Sequence, residues 1–234
     1  MSMKFEIDDD RFLLGFTSKK FGLSKGAYAG LNLALHVGDD KECVLKNREI
    51  LANFLGVKLG DLIFMEQIHS DKVEILTSKD QKLTPCDAVI TTLKNTALCV
   101  MTADCSPVLI IDPVCEVICV IHAGRAGVMK KICTKAINLM ENNFGCEAIN
   151  LEVFVGANIK GSCYEVKGID LGELGRYKFN DKFDMNMALR DEISSLGVTK
   201  IKFEPSCTHC DEMYFSYRRE GVTGRFAGFV MMRG

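Results

Sequence analysis

The chain has 234 residues, 47% of them hydrophobic, a formal net charge of -2 and eleven cysteines. That is ample for the core of one domain, expected over residues 1–234, and the Lys and Arg scattered among Asp and Glu exclude a broad nucleic-acid or anionic-membrane surface. No window reaches the roughly 18 apolar residues of a membrane span, and the N-terminal stretch MSMKFEIDDDRF lacks the apolar core of a signal peptide, so the expected setting is the cytoplasm, with reduced thiols and a small partner.

In chain order, residues 12–16 read as a first strand and the Gly-rich residues 21–30 as a loop. Asp39 or Asp40 caps a helix to about Leu55, because Val44, Asn47, Arg48, Leu51 and Leu55 recur at helical spacing and Gly56 follows as a stop. Arg48 falls on or beside the inward face, where a guanidinium needs an anionic ligand or a structural salt bridge. Residues 62–65 lead into Gln67-Ile68-His69-Ser70-Asp71, then residues 73–76 alternate like a strand and residues 87–91 form another short apolar one.

Residues 97–102, 107–111 and 117–121 are rich in Val, Ile, Leu and Cys and too short for globular helices, so they read as strands buried on both faces. Their ends deliver Ala103-Asp104-Cys105-Ser106 and His122-Ala123-Gly124-Arg125 to loops beside a stiff sheet. Val128, Ile132, Lys135-Ala136, Leu139 and Asn143 then fit one helix ending at Gly145, its N-terminus facing the His122 loop and suited to a phosphate or carboxylate. Residues 151–155 are a further strand, 167–182 a surface excursion, 183–196 a helix, and 200–203 and 226–232 the last strands. Strands outnumber helices, which predicts an α/β (α+β) domain of stacked mixed β-sheets flanked by helices rather than a doubly wound Rossmann fold.

Of only four histidines, His69 and His122 sit near strand ends among polar neighbours, and Cys105 adds a thiolate. Three N/S ligands with a free fourth position are the donor set of a catalytic zinc, which polarises substrates or acidifies water. Their spacing is not itself a signature, so core or hydrogen-bonding roles stand as the alternative. Cys207-x-x-Cys210 with His209 is a competing motif, but a structural zinc needs further ligands and a redox site needs the motif at a helix start after a strand; the sequence shows neither. The cytidine-deaminase arrangement is excluded, because it requires H-x-E followed by P-C-x-x-C and no H-x-E occurs. Cys99, Cys115, Cys119 and Cys133 lie among apolar residues and read as small hydrophobes.

Leu31-Asn32-Leu33 with His36-Val37-Gly38-Asp39-Asp40, Asn47-Arg48, Gln67-Ile68-His69, Asp87-Ala88, Thr102-Ala103-Asp104-Cys105-Ser106-Pro107 and His122-Ala123-Gly124 occur in that order. Phe215-Ser216-Tyr217-Arg218-Arg219-Glu220-Gly221-Val222-Thr223-Gly224-Arg225 completes the series. Over nearly its whole length the chain resembles the YfiH family, also labelled polyphenol oxidase or laccase-domain. The resemblance implies a cytotoxic-necrotizing-factor-like α/β sandwich. It also implies a zinc-dependent purine nucleoside phosphorylase that splits adenosine, inosine and S-methyl-5'-thioadenosine with phosphate and deaminates adenosine. His69, Cys105 and His122 are then the metal ligands and catalytic residues. Arg48, Gln67, Asp104, Arg125, Arg218 and Arg225 are the expected substrate or phosphate contacts, together with the helix N-terminus after Gly127, since guanidinium groups bind phosphate oxygens two at a time. For Arg218-Arg219 a solvated turn is the alternative.

Three positions depart from the family pattern: Ser70 stands where glycine is usual, Arg125-Ala126 where Trp-Arg is usual, and Gly156-Ala157 where Gly-Pro is usual. A cysteine hydrolase or amidase editing cell-wall precursors, with Cys105 as nucleophile and His122 as base, is the rival enzyme. A metal-stabilised, non-catalytic module is the rival without turnover. Copper is disfavoured, because a blue-copper site would use two histidines and a cysteine and leave only two histidines for a trinuclear cluster. The expected partners are a purine nucleoside and phosphate, and the expected state is a monomer or weak homodimer.

Overall fold

Residues 3–234 are described by a computed structural model, in which the apolar runs become strands of two stacked sheets. The first half of the chain holds β1 (Met3–Asp8), β2 (Phe12–Thr17), α1 (Lys41–Leu55), β3 (Leu62–Phe64), β4 (Val73–Leu76) and β5 (Ala88–Thr91). The middle holds β6 (Ala97–Thr102), β7 (Ser106–Asp112), β8 (Val117–Ala123), α2 (Arg125–Met129), α3 (Ile132–Phe144) and β9 (Glu152–Val155). The last part holds the two-residue strands β10 (Lys178–Phe179) and β11 (Lys182–Phe183), then α4 (Met185–Ser194), β12 (Lys200–Phe203), α5 (Tyr217–Glu220) and β13 (Phe226–Met232).

One sheet runs β1-β2-β13-β6-β3 and the other β12-β9-β7-β8-β5-β4, with β10-β11 as a separate ribbon. Both large sheets are mixed: β3 pairs with β6, β4 with β5 and β12 with β9 in parallel, and the remaining ladders are antiparallel. Phe12, Leu14, Phe16, Leu98 and Val230 of the first sheet meet Val89, Leu109, Ile111, Ile118 and Val120 of the second in a shared apolar layer. The outer face of the first sheet packs on Leu51, Ala52 and Leu55 of α1, and that of the second on α3 and α4. The result is an α–β–β–α sandwich, which bears out the stacked mixed sheets expected from the sequence. Every residue of β6, β7 and β8 is buried, because these strands are covered on both faces.

Helix α1 follows its sequence signals closely. Asp40 accepts the N–H groups of Glu42 and Cys43, at 2.8 and 3.0 Å, and Gly56 closes the helix at φ 71°. Other boundaries differ. The single helix expected after Gly127 is two helices, because Lys131 adopts φ 61° and redirects the chain. Val128 of α2 and Ile132, Ala136, Ile137 and Met140 of α3 can then all be fully buried. His122 belongs to β8 rather than to a loop, since its N–H continues the ladder onto the Asp87 carbonyl at 2.7 Å. The excursion at 167–182 is not wholly at the surface, because Leu171, Leu174 and Tyr177 reach the core against α3 and α4. Among the described residues no helix is long and apolar enough to cross a membrane.

Candidate metal centre

Three segments meet at one end of the sandwich: the β3–β4 connection with His69, the β6–β7 turn with Cys105, and the end of β8 with His122. The β7–β8 register pairs Ser106 with Ala123 and Pro107 with His122, which carries Cys105 alongside Gly124. A Cβ on Gly124 would stand 3.2 Å from both Cys105 Sγ and His69 Cδ2, and 3.6 Å from His122 Cε1. Any side chain at 124 would therefore enter the space between the three donors, which is a physical reason for glycine there. The ligand atoms of His69, Cys105 and His122 all lie within 4.8 Å of one another, and the two imidazole rings meet edge to face at 81°.

Asp87, immediately before β5, organises both imidazoles. Its Oδ1 accepts from His122 Nδ1 at 2.8 Å and from the His69 N–H at 3.0 Å. Its Oδ2 accepts from the N–H groups of Ile68 and Ser70, at 3.3 and 2.5 Å, and from the Ser70 hydroxyl at 2.7 Å. His69 has φ 56°, a left-handed conformation that non-glycine residues seldom adopt, and the three consecutive N–H groups on one carboxylate hold it there. With Nδ1 of His122 engaged by Asp87, Nε2 is the nitrogen free to bind an ion. Carboxylate-oriented histidine is the usual outer shell of a metal site. Two nitrogens, one sulphur, an orienting carboxylate and a glycine-lined gap fit a borderline-soft divalent cation of the zinc class.

The electrostatics agree with that fit. Burial pushes the Cys105 thiol up, but the charge and hydrogen bonding of His122 and His69 outweigh it and bring the group down to about 6. Burial pulls His122 down, and the Cys105 thiolate and Asp87 overcome that and raise it to about 9. Burial likewise raises Asp87, while the bonds from His122 and Ser70 bring it to about 2. Between those limits Cys105 is a thiolate and the shared proton sits on His122.

His69 and Cys105 open onto a cavity of about 340 Å3, a size suited to a small ligand, while His122 lies behind them at 3% exposure. Ile159, Tyr164, Met185 and Tyr217 form much of its wall, and Arg218 and Arg225 stand in it as cations. Arg225 Nη1 is anchored by the carbonyls of Thr223 and Gly224, each at 2.9 Å. Arg218 Nη2 donates to the Glu165 carbonyl at 3.1 Å, and its guanidinium lies 5.4 Å from the Tyr164 ring centre.

The other expected contacts are placed differently. Asp104 lines the cavity, but its oxygens accept from the Thr208 hydroxyl at 2.6 Å and the Arg218 N–H at 2.8 Å, so it positions the Arg218 segment. Gln67 turns its amide onto the Met101 backbone, giving to the carbonyl at 2.7 Å and taking from the N–H at 2.9 Å, which extends the β3–β6 ladder toward His69. Arg48 stacks 3.8 Å from the Phe64 ring centre and donates to the Leu33 carbonyl, away from the cavity. Arg219 is held by the carbonyls of Thr208, His209 and Tyr214, which replaces the solvated-turn alternative for that residue with a packing role. Arg125 begins the five-residue α2 outside the cavity lining, Gly127 lies within that helix, and the helix start that follows it, that of α3 at Ile132, is not among the cavity-lining residues. Sequence reasoning placed Asp87 in the motif series without a role, and missed the ring contributions of Tyr164 and Tyr217.

Asp87→Asn leaves one carbonyl oxygen to serve donors that now share two oxygens, and it loses the charge that orients His122. The expected result is zinc affinity lower by about 10–100-fold in competition with a chromophoric chelator; unchanged affinity would remove Asp87 from the site. Because the Cys105–His122 pair keeps one proton between about 6 and about 9, ion binding at intermediate pH must expel it. Apparent affinity therefore rises roughly tenfold per pH unit across that window, and calorimetry in buffers of different ionisation enthalpy should show about one proton released per ion. Buffer-independent heats would contradict the pairing.

The family model described as multi-copper polyphenol oxidoreductase laccase matches residues 13–233. A Corynebacterium glutamicum protein named purine nucleoside phosphorylase is 38% identical over 229 residues, covering 93% of each chain. The crystal structure of YlmD from Geobacillus stearothermophilus superposes with a TM-score of 0.88 at 28% identity, over 95% of this chain and 92% of that one. The Bacillus licheniformis hypothetical protein YfiH does so with a TM-score of 0.88 at 25% identity, over 98% and 99%. With a match that spans nearly all of its length, the chain belongs to the multi-copper polyphenol oxidoreductase laccase family, of YfiH type.

Proposed function

We propose that the chain is a zinc-dependent purine nucleoside phosphorylase. Phosphate attacks the anomeric carbon of adenosine, inosine or S-methyl-5'-thioadenosine, the glycosidic C–N bond breaks, and the free base leaves with the sugar 1-phosphate. Deamination of adenosine is a second activity of the same cavity. The observation that carries this reading is the shared cavity itself: a two-imidazole, one-thiolate centre, two guanidinium groups and two phenol rings face one space of about 340 Å3.

Each wall has a task in that reaction. Arg218 and Arg225 hold phosphate, since both present planar cations whose positions are set by backbone carbonyls. Tyr164 and Tyr217 offer rings for stacking on the purine, and Ile159 and Met185 keep water from the anomeric carbon. His69, Cys105 and His122 hold zinc, which when bound polarises an oxygen of nucleoside or phosphate. Zinc is preferred to copper because His36 and His209 lie outside the cluster and cannot complete a trinuclear set. Eleven free cysteines accord with work in a reducing cytoplasm, as a monomer or weak homodimer.

One observation favours a second reading. Cys105, His122 and Asp87 form a connected thiolate, imidazole and carboxylate series, the arrangement of a cysteine hydrolase acting on an amide such as a cell-wall precursor. Nucleoside assays with and without phosphate, alongside elemental analysis, separate the two. Phosphorolysis predicts base release only with phosphate and loss of turnover on metal removal; the separate deaminase activity predicts inosine and ammonia from adenosine and water. Arg225→Ala should raise KM for phosphate roughly 10–100-fold, the loss of charge-assisted bonds worth about 1.5–3 kcal/mol. Base release indifferent to phosphate would contradict the proposal, as would full activity in metal-free protein that is lost when a substrate analogue labels Cys105.

A further inference from the structure

The Cys207-x-x-Cys210 motif lacked a third ligand in the sequence, and the fold supplies one. Cys163, from the loop after β9, lies with its Sγ 3.3 Å from Cys210 Sγ, and the sulphurs of Cys163, Cys207 and Cys210 all fall within 4.8 Å of one another. Thiolates sharing one tetrahedral ion at bonds of about 2.3 Å stand roughly 3.8 Å apart, so little adjustment is required. All three thiols are free, and Cys210 is exposed, which leaves an entry path from solvent.

A second, independent observation concerns the backbone. The Lys160 N–H donates to Cys207 Sγ at 3.4 Å. The Cys207 carbonyl meanwhile takes the N–H groups of Cys210 and Asp211, at 3.1 and 2.8 Å, closing the motif into a tight turn. A backbone donor on the sulphur compensates a thiolate that shares its charge with a cation, whereas a thiol is only a weak acceptor. The third cluster of this kind, Asp112, Cys115 and Cys146, shows the contrast. Its ligand atoms are equally close, but Asp112 Oδ1 is taken by the N–H groups of Val114 and Cys115, and Cys146 is buried.

We propose that Cys163, Cys207 and Cys210 bind a second thiophilic divalent cation of the zinc class; His209, whose Nδ1 is 3.9 Å from Cys210 Sγ but outside the group of mutually close ligand atoms, reaches the fourth position only by turning toward it, and water fills it otherwise. The site is structural. The Cys163 carbonyl accepts from Arg218 Nη1 at 3.4 Å, Tyr164 follows Cys163 into the cavity wall, and the Thr208 and His209 carbonyls hold Arg219. A bound ion ties the 160–165 loop to the 207–211 turn, the two segments that place Tyr164 and Arg218. It thereby stiffens one wall of the cavity without touching the His69–Cys105–His122 centre.

Cobalt(II) titration of the reduced, full-length protein tests this. Wild type should take two ions per chain. The Cys105→Ser, His69→Ala variant should still take one, with the intense sulphur-to-cobalt charge-transfer absorption of several thiolates. Cys163→Ser with Cys210→Ser should keep the first ion and lose that absorption. A measurement on unaltered protein guards against variants that fail to fold: besides Cys105 of the first centre, added zinc should shield Cys163, Cys207 and Cys210, identified by mass spectrometry, from alkylation. The proposal is overturned if the first variant takes up no cobalt, if zinc leaves those three thiols as reactive as before, or if freshly purified protein carries Cys163 and Cys210 as a disulfide without metal. These readouts follow ion uptake and thiol reactivity rather than phosphate-dependent turnover, so this proposal and the proposed function fail separately.

Discussion

Both imidazoles of the centre answer to one carboxylate. Asp87 holds the His122 ring through Nδ1 and, through three consecutive N–H groups, bends the backbone at His69 into its left-handed turn. Removing it would leave several buried or half-buried donors without a partner, each costing about 1–3 kcal/mol. Ser70, a departure from the family pattern, adds its hydroxyl to the same oxygen, so the substitution strengthens the anchor rather than disturbing it.

The sandwich makes that anchor effective. Asp87 leads into β5, whose neighbour β8 delivers His122, whose neighbour β7 in turn begins just after Cys105. Three adjacent, fully buried strands thus hold two ligands and the carboxylate in register, and only His69 arrives on a longer connection. Gly124 removes the last obstacle by leaving the space between the donors open. Stiffness below and an open cavity above are the combination expected where chemistry is carried by residues on strand ends and loops.

Much of this was legible in the sequence where local rules dominate. The Asp40 cap and Gly56 stop bounded α1, the continuous apolar runs announced β6, β7 and β8, and scarcity singled out His69, His122 and Cys105. What stayed hidden depends on partners far apart in the chain. Asp87 stands in the motif series, but its role appears only when His122 is paired beside it, and Cys163 has no visible connection to Cys207 and Cys210. Arg48 and Gln67 illustrate the opposite error, since polar groups near a site are often used to satisfy backbone or aromatic neighbours instead of a ligand. The split between α2 and α3 is a further case, because Val128 and Ile132 keep helical spacing across a residue that leaves the helix.

The account stands or falls on whether one ion gathers His69, Cys105 and His122. An anomalous difference map recorded on either side of the zinc absorption edge, from crystals of the protein as purified, tests this directly. The account predicts a zinc peak at about 2.0–2.1 Å from one nitrogen of each histidine and about 2.3 Å from the Cys105 sulphur, with a side open to the cavity. A map with no metal among these three side chains, or one whose fourth position is closed by another protein ligand, would contradict it.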